Sequence, residues 1–176
     1  MAETAGRILH TRVTRLEMTQ RPTFTPPVPV GMRLAIMRAT NTPVHFYRYL
    51  YEQVGRPHHW TMRRLQSDEE LVRAIHAETC EIHILYVDGC PVGFAETDYA
   101  VPHQAEILHF GLMCDYQGRG LGKFFLHETV SAAWLKDPQK IIIQTNTLDS
   151  PRALQLYQKM GFSPVSWSEE TVIAWD

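Results

Sequence analysis

The sequence predicts a mixed α/β fold, in which helices cover both faces of one sheet. From residue 32 onward, strand-like alternation and helix-like periodicity follow each other in the order β, α, α, β, β, β, α, β, α, β. The three consecutive strands begin with two runs joined by Asp88-Gly89, a dipeptide typical of a two-residue hairpin. With 176 residues, the chain has the length of about one domain.

The N-terminal 31 residues are predicted to form an extension to a domain of residues 32–176. Residues 8–19 alternate apolar and polar side chains, which predicts an edge strand that could serve as a homodimer contact or as a cover for the sheet. Residues 20–30 are rich in proline and are predicted to form a stiff, extended arm, because proline fixes the backbone and donates no hydrogen bond.

The first elements of the domain are predicted to be a strand and two helices. Alternation predicts the strand at residues 32–39. Residues 41–43 (Asn-Thr-Pro) predict a helix start with a polar cap and proline in the first position, and this helix continues to Gly55. The second helix follows a capping-box sequence at residues 67–70, in which serine precedes glutamate by three positions.

The rest of the domain alternates between strands and helices. Short apolar runs predict strands at residues 81–87, 91–97, 106–113 and 140–144, with one or two more within 165–175. Helical periodicity predicts helices at residues 120–136 and from Ser150 to Gly161, where glycine is suited to the left-handed position that ends a helix.

Composition excludes several classes of function. The formal net charge of −2 gives no basic excess, so we expect no nucleic-acid partner. The sequence contains no apolar run of the roughly 20 residues that a membrane-spanning helix needs, nor the apolar core of a signal peptide. Three cysteines at irregular spacing predict neither a disulfide framework nor a metal site. We therefore expect a cytoplasmic protein without a resident metal.

A glycine-rich loop between a predicted strand and a predicted helix carries the main chemical signal. It consists of Gln117, Gly118, Arg119, Gly120, Leu121 and Gly122. Glycines let backbone amides converge on an anion, and the free amides at the start of the following helix add to this phosphate cradle. A dinucleotide-binding loop would lie near the first strand, and a Walker loop would have serine or threonine after Lys123, so neither pattern fits.

Residues 105–122 resemble the acyl-CoA-binding segment of the GCN5-related N-acetyltransferases (GNAT family), in which Gln117, Gly120 and Gly122 match the Q/R-x-x-G-x-G/A motif. A second family segment, A-x-x-x-Y-x-x-x-G-F, is matched by Ala153, Tyr157, Gly161 and Phe162. The resemblance covers residues 32–172 in element order and is closest between residues 81 and 162.

The resemblance implies a mostly antiparallel sheet in which one parallel strand pair splays apart to bind acetyl-CoA. It implies backbone pairing of the pantetheine arm with Gly111, Leu112 and Met113, and pyrophosphate binding by the amides of the glycine-rich loop. Many members carry asparagine eight residues before the tyrosine, where this chain has Asp149, so Asn146 is the candidate for a similar cofactor contact.

The implied reaction is direct attack of a bound amine on the acetyl group, which requires a base and a proton donor. Glu106 occupies the position of the glutamate that some family members use as the base and is placed first; His109 and Glu96 are the alternatives. Tyr157 matches the tyrosine that protonates the departing thiolate. The competing interpretation is a non-catalytic module that only binds CoA.

The acceptor is expected to be a small amine or a protein amine, bound by the segment between the first two core strands. That segment is rich in aromatic side chains, which can hold an amine through cation–π contact. We expect four of its residues to line the pocket, namely Tyr49, His58, His59 and Trp60.

Overall fold

The computed structural model describes residues 6–175, which form one seven-stranded sheet and four α-helices. The strands are β1 (Ile8–Met18), β2 (Leu34–Ala39), β3 (Cys80–Val87), β4 (Cys90–Asp98), β5 (Gln104–Leu112), β6 (Lys140–Asn146) and β7 (Ser163–Ile173). The helices are α1 (Val44–Gly55), α2 (Asp68–Ile75), α3 (Leu121–Trp134) and α4 (Ala153–Met160). Residues 1–5 of the predicted extension lie outside the described part.

The sheet has the strand order β2-β3-β4-β5-β6-β1-β7. The β5–β6 pair is parallel and every other neighbouring pair is antiparallel. The predicted fold class, a mostly antiparallel mixed sheet with one parallel pair, is therefore confirmed.

The prediction that β1 is an edge strand is wrong. β1 pairs with β6 on one side and with β7 on the other, so both of its backbone edges are hydrogen-bonded inside the sheet. Leu16 and Met18 are buried beneath α3 and α4. Alternation could not separate the two cases, because an interior strand with one solvent-facing side has the same period as an edge strand. Because both of its edges are occupied, β1 cannot pair with a second copy by strand addition. The domain boundary at residue 31 and the homodimer stay predictions.

Most of the predicted local signals have the expected geometry. Asp88 and Gly89 have φ values of 51° and 89°, as a hairpin turn with two left-handed residues requires. Ser67 and Glu70 form the reciprocal capping box, and Gly161 ends α4 at φ 114°. The polar cap predicted for α1 is wrong: within the described chain no side chain bonds to its first turn, and Pro43 directly precedes it. The C-terminal run forms one strand, β7.

Helices pack on both faces of the sheet. Apolar side chains of α1 and α2 pack on those of β3 and β4, whereas α3 and α4 cover the opposite face. The arm that follows β1 reaches β2 along α3, where Arg21 donates to the Trp134 carbonyl at 2.8 Å and Pro29 approaches Gly120. None of the helices within residues 6–175 has the length and apolar character to cross a membrane.

The strands β5 and β6 separate halfway along their length. Their pairing runs only from Gln104 opposite Lys140 to Ile107 opposite Ile143. On the other side of β5, the register with β4 shifts at Leu108, because Ile107 and His109 are opposite the consecutive residues Thr97 and Glu96. An extra residue of this kind is a β-bulge, which bends its strand and re-aims the side chains that follow. The bulge therefore lies where β5 leaves β6.

Candidate active site

A cleft of about 390 Å³ opens between the diverging ends of β5 and β6. α1 contributes Tyr51 and Val54 to one wall, and α4 contributes Leu156 and Tyr157 to another. The loop that joins α1 to α2, residues 56–67, forms a third wall and is called the α1–α2 loop below. The cleft is thus bounded by backbone edges, two helices and one long loop, which suits an elongated ligand.

The glycine-rich loop lies at the α3 end of the cleft. Gly118 and Gly120 adopt φ values of 76° and 79°, a conformation that favours glycine. A Cβ added to Gly118 would have no heavy atom of the described chain within 4 Å, so there is open space in front of this backbone. The first amides of α3 have no acceptor within the helix, and its dipole favours an anion at this end. The loop therefore fits a pyrophosphate group.

The members of this loop have different surroundings. Gln117, Gly118 and Gly122 line the cleft. Gln117 also donates to the Leu112 carbonyl at 3.2 Å, which ties the loop to β5. Arg119 lies on the Tyr116 ring at 5.3 Å, and Leu121 is buried in the core. Together with Gly120, the cap of α3, these two residues shape the loop rather than line the cleft.

The exposed edge of β5 offers a backbone amide to the cleft. The Met113 amide donates to the Val92 carbonyl at 2.8 Å and so points toward β4. Because successive residues of a strand direct their backbone groups to opposite sides, the Leu112 amide points into the gap on the β6 side. Gly111 and Leu112 line the cleft. Because the Met113 amide is already bonded within the sheet, a pairing of Met113 with a ligand would involve its carbonyl, and this pairing stays a prediction.

His109 lies in the cleft with its Nδ1 atom 2.9 Å from Glu96 Oε2. Its ring packs against the aromatic rings of Tyr51 and Trp60, with centroids 5.1 and 5.2 Å apart. A carboxylate at Nδ1 favours the tautomer that is protonated on that nitrogen, and this leaves the Nε2 lone pair free to accept a proton. His109 thus has the geometry of a general base.

Glu96 is completely buried behind His109 and receives three further hydrogen bonds, from the Tyr47 hydroxyl, the Arg63 guanidinium and, at 3.9 Å, the Cys80 thiol. Burial by itself would raise the pKa of Glu96, but electrostatic attraction and hydrogen bonds from its partners His109 and Arg63 outweigh burial and lower the pKa to about 2. Burial and the Glu96 charge raise the pKa of Tyr47 well above its ordinary value, so it remains a hydrogen-bond donor. Glu96 is therefore a buried anion that orients His109, without direct access to the cleft.

Glu106, placed first as the base, lies beside the cleft rather than in its lining. Its carboxylate accepts a hydrogen bond from Gln144 at 3.0 Å and lies 3.9 Å from the Arg15 guanidinium. The bulge at Leu108 explains the difference, because it turns His109 toward the cleft three residues after Glu106.

Tyr157 lines the cleft from α4 and is otherwise packed among apolar side chains. Its ring contacts those of Phe110 and Phe162, with centroids 6.4 and 6.3 Å apart. Burial, together with the charge of Asp149, raises the pKa of Tyr157 far above its ordinary value. Its hydroxyl thus stays protonated and can donate to a group in the cleft.

The α1–α2 loop is fastened to the turn after β6. Trp60 Nε1 donates to Asp149 Oδ1 at 3.1 Å, and His58 Nδ1 lies 3.2 Å from the Leu148 carbonyl. Asn146 lines the cleft, but its Oδ1 already accepts from the amides of Leu148 and Asp149, at 2.8 and 3.2 Å. A cofactor contact of Asn146 would therefore involve its amide nitrogen.

Three of the four predicted wall residues, His58, His59 and Trp60, line the cleft. Tyr49 does not: it is 44% exposed and stacks on Phe46, on the outer side of α1. Sequence reasoning missed Arg63 and Tyr51, because a lone arginine in a loop and an aromatic residue at helical spacing carry no motif.

Two further kinds of reactive group, clusters of metal-binding side chains and cysteine thiols, are not found at the described cleft. Within residues 6–175, the structure contains no cluster of three or more histidine, cysteine or carboxylate side chains that could hold a metal. The three cysteines are free thiols, and none of them lines the described cleft.

Solved structures with a similar fold include GCN5-related N-acetyltransferases. The chain is similar to a GCN5-related N-acetyltransferase from Sphaerobacter thermophilus, with 17% identity and a TM-score of 0.64 over 98% of this chain and 55% of that one. A GCN5-related N-acetyltransferase from Kribbella flavida gives 15% identity and a TM-score of 0.61 over 95% and 59%. The chain thus spans less than two thirds of the length of these two proteins.

An aminoglycoside acetyltransferase from an uncultured soil metagenomic sample is also similar, with 16% identity and a TM-score of 0.60 over 72% of this chain and 86% of that one. No curated protein matches the sequence. A model of the acetyltransferase (GNAT) family matches residues 42–162, which is well over half of the chain. The protein is therefore a member of the acetyltransferase (GNAT) family.

Proposed function

We propose that the protein is an N-acetyltransferase that transfers the acetyl group of acetyl-CoA to an amine by direct attack in a ternary complex. The observation that carries the proposal is the position of His109. Its ring lies in the cleft between the separated strands, with Nδ1 held by buried Glu96. A proton acceptor thus lies in the same cleft as a phosphate cradle.

The cofactor would lie along β5 from the glycine-rich loop toward His109. The amides of Gly118 and of the first turn of α3 would hold the pyrophosphate, because they face open space and the positive end of the helix dipole. The pantetheine arm would pair with the open edge of β5 like an added strand. The Leu112 amide would then donate to the thioester carbonyl, where negative charge develops during attack.

His109 would remove the proton from the incoming ammonium. The neutral amine then attacks the acetyl carbon, and an N–C bond forms as the C–S bond breaks. General-base catalysis of this kind contributes typically 10²- to 10⁴-fold to the rate. Glu96 keeps Nδ1 protonated and the ring in place, so it acts as a positioning residue.

Tyr157 would donate a proton to the CoA sulfur as it leaves. Its hydroxyl is protonated at neutral pH, since its pKa is raised by burial. It reaches the cleft from the wall opposite α1, so the base and the acid approach the reacting atoms from different sides. The attacking nitrogen loses a second proton as the amide forms. Of the two amine protons, one restores Tyr157 after it protonates the thiolate and the other leaves to solvent, so each turnover releases one proton.

The acceptor would be bound by the α1–α2 loop and α1. The Trp60 and Tyr51 rings beside His109 can hold a cationic amine. Glu170 of β7 adds a carboxylate to the same cleft. One structural relative is described as an aminoglycoside acetyltransferase, so amino sugars belong in a panel with diamines and peptide amines. We also propose a cytoplasmic location, where acetyl-CoA is available.

A non-catalytic CoA-binding module is the alternative. It would need the cradle and the open β5 edge but neither His109 nor Tyr157. The presence of both side chains in the cleft favours the enzyme.

The first experiment is thermal unfolding with and without acetyl-CoA. A ligand at about 100 times its Kd stabilises the folded state by about 2.7 kcal/mol, a Tm rise of a few degrees for a domain of this size. The rise should be absent with NAD and much smaller in Gly120→Glu. No shift at millimolar acetyl-CoA would refute cofactor binding. A shift without acetyl transfer to any amine of the panel would favour the non-catalytic module.

A further inference from the structure

Glu96 binds two groups that can carry positive charge, one on each carboxylate oxygen. Oε2 accepts from His109 Nδ1 at 2.9 Å and also from the Tyr47 hydroxyl, whereas Oε1 accepts from Arg63 Nη2. The carboxylate is fully buried and Arg63 is only 9% exposed, so solvent screens this cluster weakly. The charge balance of the cluster therefore depends on these side chains.

The single negative charge of Glu96 can compensate only one cation. Glu96 carries a single negative charge, and the Arg63 guanidinium compensates it permanently because arginine does not lose its proton in proteins. A proton on His109 would add a second, uncompensated positive charge to a buried site, which is costly. Arg63 thus favours the neutral imidazole, which donates from Nδ1 to Glu96 and presents Nε2 to the cleft.

The other titratable groups that contact His109 or Glu96 do not provide this charge. Tyr47 and Tyr51 come from α1, and burial raises the pKa of both, so they are neutral. Burial also raises the pKa of Cys80, whose thiol on β3 points at Glu96, to about 12. Among the described residues, Arg63 is the only permanent cation bonded to Glu96.

Arg63 belongs to the α1–α2 loop, which also forms the acceptor wall of the cleft. Its amide donates to the Tyr51 hydroxyl at 3.2 Å, and its Nη1 lies 3.3 Å from Gln66 Oε1. Trp60 in the same loop packs on the His109 ring and donates to Asp149 across the cleft. The α1–α2 loop therefore carries both the acceptor wall of the cleft and the Arg63 charge beside Glu96.

We infer that Arg63 is a positioning residue that holds His109 in its neutral, proton-accepting form and couples this state to the seating of the α1–α2 loop. The inference rests on the proposed function in one respect, the assignment of His109 as the base. Arg63 is not one of the residues that line the described cleft, so it acts on His109 through Glu96.

The direct test is an NMR titration of the His109 ring, with its signal assigned by comparison with His109→Gln. Arg63→Gln removes the charge but keeps an amide that can donate to Glu96. We expect the His109 midpoint to rise by about one pH unit in this variant, since loss of a neighbouring positive charge stabilises the imidazolium. Arg63→Lys should restore a midpoint close to that of the wild type. Arg48→Met is the matched control, because Arg48 of α1 bonds to Asp68 of α2 and to the Gln66 carbonyl of the α1–α2 loop but not to Glu96.

The same variants test the coupling in catalysis. In Arg63→Gln, the acidic limb of the pH profile of kcat/KM should move to higher pH by about as much as the His109 midpoint does. The activity should recover at alkaline pH. If Arg63→Gln does not fold, Arg63→Met combined with Glu96→Gln removes both charges, and its His109 midpoint should lie above that of Glu96→Gln alone.

The outcomes separate the two proposals. An unchanged His109 midpoint in folded Arg63→Gln, or a loss of activity equal at every pH, would overturn the role of Arg63. A midpoint that moves as expected in a protein without any acetyl transfer would support the role of Arg63 in the charge cluster and refute the proposed function.

Discussion

Replacing Glu96 with glutamine should change the way in which stability depends on pH. The pKa of this carboxyl is about 2 in the folded protein, against 4.5 ordinarily. One unit of pKa corresponds to about 1.36 kcal/mol, so ionised Glu96 stabilises the folded state by about 3 kcal/mol near neutral pH. Because the folded-state pKa is the lower one, this stabilisation is present above pH 4.5 and is lost as the pH falls toward 2.

The wild type should therefore exceed Glu96→Gln in free energy of unfolding by a smaller amount as the pH falls. Between pH 5 and pH 3, the difference in free energy of unfolding should shrink by about 2 kcal/mol. Urea unfolding followed by tryptophan fluorescence measures it at each pH. Glu17→Gln is a control: a hydrogen bond from Lys140 lowers the pKa of Glu17, but solvent screens this partly exposed pair, so the pH dependence should be smaller.

A difference between the wild type and Glu96→Gln that stayed constant from pH 5 to pH 3 would refute the reasoning. It would mean that Arg63 and His109 do not hold Glu96 as a buried anion in the folded state. The orientation of His109 would then need another explanation.

His109→Gln should lower kcat by about 100-fold or more in steady-state assays and leave acetyl-CoA binding, measured by calorimetry, intact. Glu106→Gln should keep most of the activity. A larger loss of kcat in Glu106→Gln than in His109→Gln would instead identify Glu106 as the base. Tyr157→Phe should lower kcat with little change in the KM for acetyl-CoA, and an unchanged kcat in steady-state assays would exclude Tyr157 as the acid. Gly93→Ala should destabilise by about 1–3 kcal/mol in urea unfolding, because its Cβ would lie 2.5 Å from the Gly111 carbonyl oxygen. Gly122→Ala is its control: a Cβ there meets side chains at 3.8 Å, so equal destabilisation by both changes would contradict the steric argument.

The sequence by itself determined the order of most elements and the conformation of the glycine-rich loop. Asp88-Gly89, the capping box at residues 67–70 and Gly161 fix backbone geometry through interactions between near neighbours, and all three have the expected conformation. The glycine-rich loop is equally local, since positive φ values and the free amides of a helix start depend only on adjacent residues.

Only the tertiary structure decided which strand is interior and which carboxylate meets the histidine. The alternation of β1 is compatible with either position in a sheet, and its pairing with β6 and β7 depends on residues more than 120 positions away. The sequence placed Glu106 ahead of His109 as the base, whereas the bulge at Leu108 turns His109 into the cleft. Arg63 and Glu96 are 33 positions apart and meet only when the α1–α2 loop folds over β4. Local patterns set backbone conformation, whereas a buried charge cluster arises from long-range contacts that bring distant side chains into one low-dielectric site.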